Sequence, residues 1–310
     1  MTVSSAIVFG YHNVGVRCLR VLLDAGIDVR LVVTHEDSPG ETIWFGSVAE
    51  AAREHGVAVM TPDDANTTEV LEACRAAAPD FLFSFYYRKM LKAPLLAVPR
   101  RGAYNLHGSL LPRYRGRAPV NWAVLHGERE TGATLHAMDE RPDHGAIVDQ
   151  CAVPILIDDT ARDAFDKVTV AAEIVVARSV PRLVDGTAVL TPQDFSKGGY
   201  FGGRKPEDGR IAAQASARNI HDLVRAVAPP DYPGAFFDTP AGRVLVARTR
   251  LAPPSGRRPA GCFELHADDG TLRLTAVDGA TLQVLDARLD GAPLDAAACA
   301  GKFGTLSPAI

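Results

Sequence analysis

The sequence predicts an α/β protein: a Rossmann-like, mostly parallel sheet with helices on both faces, followed by a small all-β domain. Three observations support this prediction. Apolar strands alternate with helices through the first two-thirds of the chain, a pattern typical of parallel sheets. A glycine-rich stretch then interrupts the pattern. Beyond it, short apolar runs recur about every ten residues, which is typical of small barrels and sandwiches.

The elements of the first part follow one another at the spacing of βαβ units. An apolar strand at 6–9 leads into a helix that ends at Gly26, and the apolar strand at 81–85 is expected to be buried on both faces. A short strand at 102–106 carries Asn105. The remaining predicted elements are strands at 29–34 and 57–60 and helices at 48–55, 71–77, 119–126 and 161–183.

The turn after the first strand does not favour a dinucleotide site. Gly10 and Gly15 are spaced as G-x-x-x-x-G, whereas dinucleotide-binding turns have G-x-G-x-x-G. The second strand ends at Thr34 and His35, where a dinucleotide fold would place an acidic residue for the ribose. We therefore interpret Gly10 as part of a tight strand-to-helix turn.

The glycine-rich stretch divides the chain into a first domain at 1–188, a linker at 189–210 and a C-terminal domain at 211–310. The linker is predicted to be flexible because its glycines lie on both sides of Pro206 without an apolar pattern. In the last domain a helix from Ser216 ends before two prolines. Predicted strands follow, with turns such as A-D-D-G between them, at 235–237, 244–246, 261–265, 271–275 and 281–285.

Composition and charge exclude several classes of protein. The 310 residues are 47% hydrophobic and 23% charged, as in soluble globular proteins. No stretch approaches the ~20 continuous apolar residues that cross a bilayer, and the chain starts without an export signal, so we expect a cytoplasmic protein without a membrane partner. A net charge of −4 does not favour nucleic acid as a partner. Five scattered cysteines without C-x-x-C spacing predict reduced thiols and no metal site.

The stretch with the clearest chemistry is Y-N-L-H-G-S-L-L-P-R-Y-R-G-R-A-P, which begins at Tyr104. It places Asn105 and His107 at the carboxyl end of a strand, where open α/β sheets bind ligands. A second loop, R-P-D-H-G, contributes Asp143. Five arginines lie around these residues, and no acidic residue falls between the first and the last of them, which predicts anion binding: Arg100, Arg101, Arg113, Arg115 and Arg117.

These residue types form an acyl-transfer site without a nucleophile of its own. The Asn105 amide can donate to a carbonyl oxygen as it gains charge, and Asp143 can orient His107. We expect Asp143 to raise the pKa of His107 above its usual ~6.5, so that protonated His107 assists the oxyanion. The run G-S-L-L at Gly108 lacks the second glycine of a nucleophile elbow, which suits direct attack by an amine of the acceptor.

With these residues the chain resembles the folate-dependent formyltransferases. Asn105, His107 and Asp143 fall on that family's Asn-x-His pair and distal aspartate, and S-L-L-P-R-Y-R-G-R-A-P on its signature loop. Within the family the chain is most similar to the formyltransferase domain of the bifunctional polymyxin-resistance proteins, which act in lipid A modification and antibiotic resistance. That similarity extends to F-G-Y-H-N-V-G at 9–15, T-H-E-D-S-P-G-E at 34–41, F-S-F-Y-Y-R at 83–88 and F-G-G-R-K-P-E-D at 201–208.

The resemblance implies a donor, an acceptor and binding residues. The donor would be 10-formyltetrahydrofolate, and the acceptor a nucleotide-linked amino sugar, with UDP-4-amino-4-deoxy-L-arabinose as the expected one. The 1–188 region would be the catalytic domain, and the C-terminal domain an OB-like β-barrel. Substrate-binding residues would be Tyr11, Arg115 and Arg204. The residues implied for folate binding are Lys89, Met90, Leu91, Arg117, Asp139, Glu140, Arg141 and Pro142.

Two alternatives remain open at this point. A methionyl-tRNA formyltransferase would share the fold and the three catalytic residues, but it should present a basic surface to the tRNA, and the C-terminal part of this chain is nearly balanced in charge. A non-catalytic folate-binding module would not need Asn105, His107 and Asp143 together. Assembly into a homo-oligomer is compatible with the sequence.

Overall fold

The computed structural model describes residues 3–37, 43–252, 261 and 263–308. These residues form two compact units. The first comprises Met1–Pro119, Glu130–Pro154 and Phe165–Gly202, and the second Val120–Arg129, Ile155–Ala164 and Gly203–Ile310. The bounds predicted above, at 188 and 211, stay a prediction. Parts of two predicted features, residues 38–41 of the T-H-E-D-S-P-G-E motif and Cys262, lie outside the described residues.

The first unit is built on a seven-stranded sheet. In chain order its strands are β1 (Ser5–Gly10), β2 (Asp28–Val33), β3 (Ala58–Met60), β4 (Phe81–Phe85), β5 (Ala103–His107), β7 (Glu130–Ala137) and β8 (Ile147–Pro154); β6 (Arg115–Gly116) and β9 (Tyr200–Phe201) form a separate pair. In the sheet the strands lie in the order β3-β2-β1-β4-β5-β7-β8, and the pairs from β3 to β5 are all parallel. Its helices are α1 (His12–Asp24), α2 (Val48–Glu54), α3 (Thr68–Ala76) and α4 (Ala93–Leu96). Two further helices cross the unit bounds: α5 (Pro119–Leu125) lies in the second unit from Val120 onward, and α6 (Ala161–Asp185) lies in the first unit from Phe165 onward.

The central strands are apolar because the sheet is covered by helices. All five residues of β4 are buried, as the prediction required. Because side chains alternate across a strand, Leu82 joins a cluster on one face with Val70 of α3 and Leu95 of α4. Phe83 and Phe85 stack on each other, their ring centroids 5.7 Å apart. The sheet is therefore a rigid platform for the loops at its carboxyl edge.

Two antiparallel strands complete the sheet next to the signature loop. β7 pairs antiparallel with β5, so that Asn105 lies opposite His136, and β8 pairs antiparallel with β7. The strand β8 was not predicted. Because β7 runs antiparallel to β5, Ala137 at its end lies beside Tyr104, near the start of β5. The loop that follows β7 reaches back from there and brings Asp143 to within 3.4 Å of His107.

The second unit contains an antiparallel, barrel-like sheet of short strands in the order β10-β11-β14-β13-β12-β16, with β15 paired to β14. Its core includes Phe237, Val246 and Leu274. The elements are α7 (Ala217–Ala226), β10 (Ala235–Thr239), β11 (Gly242–Leu251), β12 (Glu264–Asp268), β13 (Thr271–Thr275), β14 (Thr281–Leu289), β15 (Ala292–Pro293), α8 (Ala296–Lys302) and β16 (Thr305–Leu306). The predicted fold class, a Rossmann-like α/β sheet followed by a small barrel-like domain, is confirmed.

The segment predicted as a flexible linker, 189–210, carries defined structure. It contains short 3-10 turns at Phe195–Lys197 and Pro206–Gly209. Between them, β9 pairs in parallel with β6 of the signature loop. One of its glycines permits close backbone approach: a Cβ at Gly198 would collide with the carbonyl of Pro112. Among the residues that the structure describes, no helix has the length and apolar character needed to cross a membrane.

Candidate active site

Asn105 and His107 lie at the carboxyl end of β5. Because they are two residues apart on a strand, their side chains leave the same face of the sheet. Asn105 is half-buried, whereas His107 is 7% exposed. Parallel pairing with β4 and antiparallel pairing with β7 fix the register on both sides of β5. The two polar groups are therefore held by a strand that is hydrogen-bonded to a neighbour on each side.

The imidazole of His107 is held by a hydrogen bond at Nε2, and its Nδ1 lies close to a carboxylate. Its Nε2 lies 2.8 Å from the carbonyl oxygen of Tyr114; because a carbonyl only accepts, this nitrogen is the donor and carries hydrogen. Its Nδ1 lies 3.4 Å from Oδ1 of Asp143. The hydroxyl of Ser109 donates to the carbonyl of Arg113 at 2.6 Å, which braces the turn that presents Tyr114.

Asp143 reaches the site from the loop between β7 and β8. Its backbone has a φ of 54°, a left-handed conformation that is uncommon outside glycine. Its Oδ2 accepts a hydrogen bond of 2.8 Å from the backbone N–H of Gly116. Burial alone would raise the pKa of Asp143, but neighbouring His107 and His136 and the Gly116 hydrogen bond lower it to about 2. Asp143 is therefore a carboxylate at neutral pH.

A second histidine, His136, belongs to the site and was missed by the sequence analysis. It is 2% exposed and lies directly across from Asn105. Its Nδ1 lies 2.8 Å from the carbonyl of Ala137, so Nδ1 donates and Nε2 accepts from the amide of Asn105 at 3.1 Å. His136 Nε2 is also 3.7 Å from Oδ1 of Asp143. A signal existed: His136 interrupts the apolar strand T-G-A-T-L-H-A-M near its end.

The pKa expected for His107 was wrong in sign. Burial lowers the pKa of His107 below its usual value, and this effect outweighs the opposing influences of Asp143 and the Tyr114 carbonyl; His136 lowers it further. Burial removes the imidazolium from water, which penalises the charged form. His107 is consequently neutral at neutral pH. It offers a lone pair rather than a proton to a reacting group.

The five arginines around the signature loop include structural and exposed members. Arg100 pairs with Asp80 at 2.8 Å, and Arg101 donates to the carbonyls of Leu183 and Val184. The guanidinium of Arg115 lies over the ring of Phe195, 4.6 Å from its centroid, and Arg117 is exposed.

The residues expected to contact folate lie in three places. Lys89 and Met90 are exposed after β4, where Asn66 donates to the carbonyl of Met90 at 3.0 Å. The side chain of Leu91 is 2% exposed and joins the hydrophobic core, so only its backbone can face a ligand. The remaining residues are exposed in the signature loop or before Asp143: Arg117, Asp139, Glu140, Arg141 and Pro142.

The three residues expected to bind the acceptor are not all in one unit. Tyr11 follows β1; its hydroxyl donates to Asp37 at 2.7 Å, and Arg88 lies over its ring. Arg115 lies in the signature loop. Arg204 belongs to the second unit, where its guanidinium is 4.9 Å from the ring centroid of Trp122. Within the described ranges, no three histidine, cysteine, aspartate or glutamate side chains gather closely enough to hold a metal ion.

Comparisons with known proteins agree with this architecture. A family model described as formyl transferase matches residues 6–180, and one described as formyl transferase, C-terminal domain, matches residues 204–303. The chain is similar in fold to an N-formyltransferase from Helicobacter canadensis in complex with folinic acid and dTDP-3-aminofucose. That similarity has 20% identity and a TM-score of 0.66, and it covers 91% of this chain and 99% of the other.

Two further solved structures share the fold. One is WlaRD, a sugar 3N-formyl transferase in the presence of dTDP and 5-N-formyl-THF, with 19% identity, a TM-score of 0.70 and coverage of 92% of this chain and 98% of the other. The other is a sugar N-formyltransferase from a Shewanella species, with 17% identity, a TM-score of 0.62 and coverage of 81% and 99%.

Proposed function

Since the formyl transferase family model covers more than half of its residues, the chain belongs to that family, and we propose that it transfers a formyl group from 10-formyltetrahydrofolate to the amine of a nucleotide-linked amino sugar. The expectation of a formyltransferase is thereby confirmed at the level of the family. The observation that carries the proposal is the group of Asn105, His107, His136 and Asp143 at one edge of the first sheet.

The residues around this edge of the sheet are suited to binding the folate donor. Two fold relatives are structures with folinic acid or 5-N-formyl-THF. In this chain, the backbone after β4 is braced by Asn66 and exposes Lys89 and Met90, which can flank a planar ring. The exposed Arg117 can pair with the carboxylates of a folate tail. The donor is a co-substrate, and it supplies the activated formyl carbonyl.

The geometry supports a direct transfer. A neutral amine attacks the formyl carbon, and the carbonyl oxygen gains negative charge in the tetrahedral intermediate. The Asn105 amide donates one N–H to His136 and has a second N–H for this oxygen. The new C–N bond forms as the bond from carbon to N10 of folate breaks. The proton that the amine loses is finally taken by N10.

His107 and Asp143 provide the route for that proton. Because burial lowers the pKa of His107, its Nδ1 lone pair is available at neutral pH to accept the proton from the attacking amine. Protonated Nδ1 would then face the Asp143 carboxylate at 3.4 Å, which stabilises the imidazolium. His107 acts in this scheme as a base that becomes an acid toward the leaving nitrogen, while Asp143 stays ionised.

The acceptor that we propose is UDP-4-amino-4-deoxy-L-arabinose. The support is the sequence similarity along the chain, together with fold relatives named as sugar N-formyltransferases. Arg115 is the first candidate for binding the diphosphate, because a guanidinium matches the geometry of phosphate oxygens. One relative is described with a dTDP-linked amino sugar, so the base of the nucleotide is a variable that the assay must include.

The experiment offers the purified chain 10-formyltetrahydrofolate with one acceptor at a time and measures the release of tetrahydrofolate. The acceptors are UDP-4-amino-4-deoxy-L-arabinose, a dTDP-linked amino sugar and methionyl-tRNA. We expect turnover with the UDP sugar and loss of turnover in His107→Ala. Preference for methionyl-tRNA would show that the chain is a methionyl-tRNA formyltransferase and would contradict the proposed sugar acceptor. Folate binding without turnover on any acceptor would favour a non-catalytic module.

A further inference from the structure

Residues 191–201, which we call the strap, contact both loops that build the candidate active site. Thr191 exchanges two backbone hydrogen bonds of 2.8 Å with Ile147, at the start of β8. At the other end of the strap, the N–H of Arg115 donates to Gly199 and that of Arg117 to Phe201, at 3.0 and 2.9 Å. The strap thus ties the loop of Asp143 to the signature loop.

Gln193 is the strap residue that reaches the catalytic aspartate. Its Nε2 donates to the carbonyl of Asp143 at 3.0 Å and to that of Gly145 at 2.7 Å. A side-chain amide has two N–H donors on one nitrogen, and both are directed at the backbone turn that carries Asp143. Gln193 is half-buried, whereas its neighbours Pro192 and Asp194 are exposed.

The turn that Gln193 holds needs such support. Asp143 has a left-handed backbone with a φ of 54°, a conformation that persists in a non-glycine residue when its surroundings fix it. On the far side of the turn, Gly145 is pressed against the carbonyl of Ala137 in β7. The Asp143 carboxylate can face His107 and Gly116 only while this turn keeps its shape.

Aromatic side chains of the strap reinforce the same two loops. Phe195 stacks on His144, the residue after Asp143, with ring centroids 4.5 Å apart. Phe201 stacks on Tyr114 at 5.1 Å, and the carbonyl of Tyr114 accepts from His107. The strap therefore supports the partners of His107 from both sides.

We propose that Gln193 is a positioning residue for catalysis: its amide, held by the strap, fixes the Asp143 turn and so keeps the carboxylate against His107. This inference goes beyond the proposed function but rests on it for the kinetic part of the test. Misplacing a catalytic group by about 1 Å can cost on the order of 100-fold in rate, so loss of the two hydrogen bonds should have a measurable effect on the rate.

The test compares Gln193→Met, which keeps the side-chain length but has no donor, with Lys197→Met as the matched control. Lys197 lies on the exposed side of the strap and pairs only with Asp194 among its described ion pairs, 3.3 Å away. We expect Gln193→Met to lower kcat by roughly 10- to 100-fold with KM values within about twofold. Lys197→Met should leave both unchanged within about twofold. Gln193→Asn keeps the amide on a shorter side chain, and its kcat should lie between those of wild type and Gln193→Met.

A second measurement does not depend on the acceptor. The pKa of His107 is measured by NMR titration of the substrate-free protein, with its signals assigned by their loss in a His107→Gln variant. The charged or titratable groups facing His107 are Asp143 and His136. Because Asp143 raises the pKa of His107, displacement of the carboxylate in Gln193→Met should lower it, as Asp143→Asn should. In the double variant, the pKa of His107 should equal that in Asp143→Asn alone.

These outcomes separate the inference from the proposed function. If wild type formylates none of the sugar nucleotides, the proposed function fails, and the titration still tests the strap. An unchanged His107 pKa in folded Gln193→Met overturns the positioning role. So does a kcat within about twofold of wild type, or a pKa change that adds fully to that of Asp143→Asn.

Discussion

Asp143→Asn is the substitution that most directly tests the proton route. Asparagine keeps the shape of the side chain, and its amide oxygen can still accept from the Gly116 N–H, which now lies 2.8 Å from Oδ2. The change therefore removes one negative charge 3.4 Å from His107 Nδ1 without removing the turn. In the proposed mechanism this charge matters when His107 carries the proton of the amine.

The distance sets the size of the effect. Two unit charges at this separation interact by about 5 kcal/mol at an effective dielectric constant of about 20, which is an upper limit because both charges are spread over several atoms. If half of that is lost, about 2 to 3 kcal/mol of transition-state stabilisation disappears. Since about 1.4 kcal/mol is tenfold in rate, kcat/KM should fall by roughly 30- to 150-fold.

The pH dependence of the rate shows whether His107 acts first as a base or as an acid. His107 must be neutral to accept a proton, so activity should fall as pH falls through its lowered pKa. Because Asp143 raises that pKa, Asp143→Asn should move this acid limb to lower pH while reducing the rate at every pH. The assay is kcat/KM for tetrahydrofolate release between roughly pH 5 and 9, with the exposed Asp28→Asn as a control.

Two results would refute this reasoning. A rate within about threefold of wild type would mean that the charge of Asp143 plays no part in the transition state. An acid limb that stays in place, together with an alkaline limb that moves to lower pH, would mean that His107 is protonated in the active form and acts first as an acid, as the sequence alone had suggested.

Three other predictions follow from the same site. Asn105→Ala should lower kcat by about 100- to 1,000-fold, because it removes an oxyanion donor. KM in steady-state assays should change little; a KM raised by a similar factor, with kcat unchanged, would indicate that Asn105 binds the ground state instead. His136→Leu should lower kcat roughly tenfold by freeing the Asn105 amide, and His136→Gln should restore part of it; equal rates in the two variants would contradict that role. The folded-state pKa of Asp143, about 2, lies below its unfolded value. Ionised Asp143 therefore contributes about 2 kcal/mol to the free energy of unfolding, and this contribution is present above about pH 4 and lost toward pH 2. Urea unfolding should depend less on pH across this range in Asp143→Asn than in wild type, and an unchanged pH dependence would contradict the shift.

The edge of the sheet that carries the candidate site was predictable from the sequence because polar residues follow the apolar strands there. The apolar strand at Phe81–Phe85 and the Asn-x-His pair after Ala103 place their groups at the carboxyl edge of a parallel sheet by topology alone. The antiparallel strands were not predictable in the same way, since alternation shows that a strand exists but not its direction or partner. His136 was missed for that reason.

Two properties of the site depend on the folded environment. The sequence shows that Asp143 could approach His107, which favours a raised pKa, but it does not show that His107 is almost fully buried, and burial reverses the sign. The strap was interpreted as a flexible linker because glycine indicates permissive backbone. In the structure Gly198 instead permits close contact with the Pro112 carbonyl.

The parallel pairing of β6 with β9 also has a consequence for the order in which the protein folds. Its two strands, at Arg115–Gly116 and Tyr200–Phe201, are far apart in the chain, so closing this contact carries the entropy cost of a long loop. During synthesis the amino-terminal strands can pair well before the strap has left the ribosome. A nascent or truncated chain that stops short of the strap would contain Asn105, His107 and Asp143 and yet lack the contacts that hold Asp143 in place. Assembly of a working site is thereby delayed until both segments have been made.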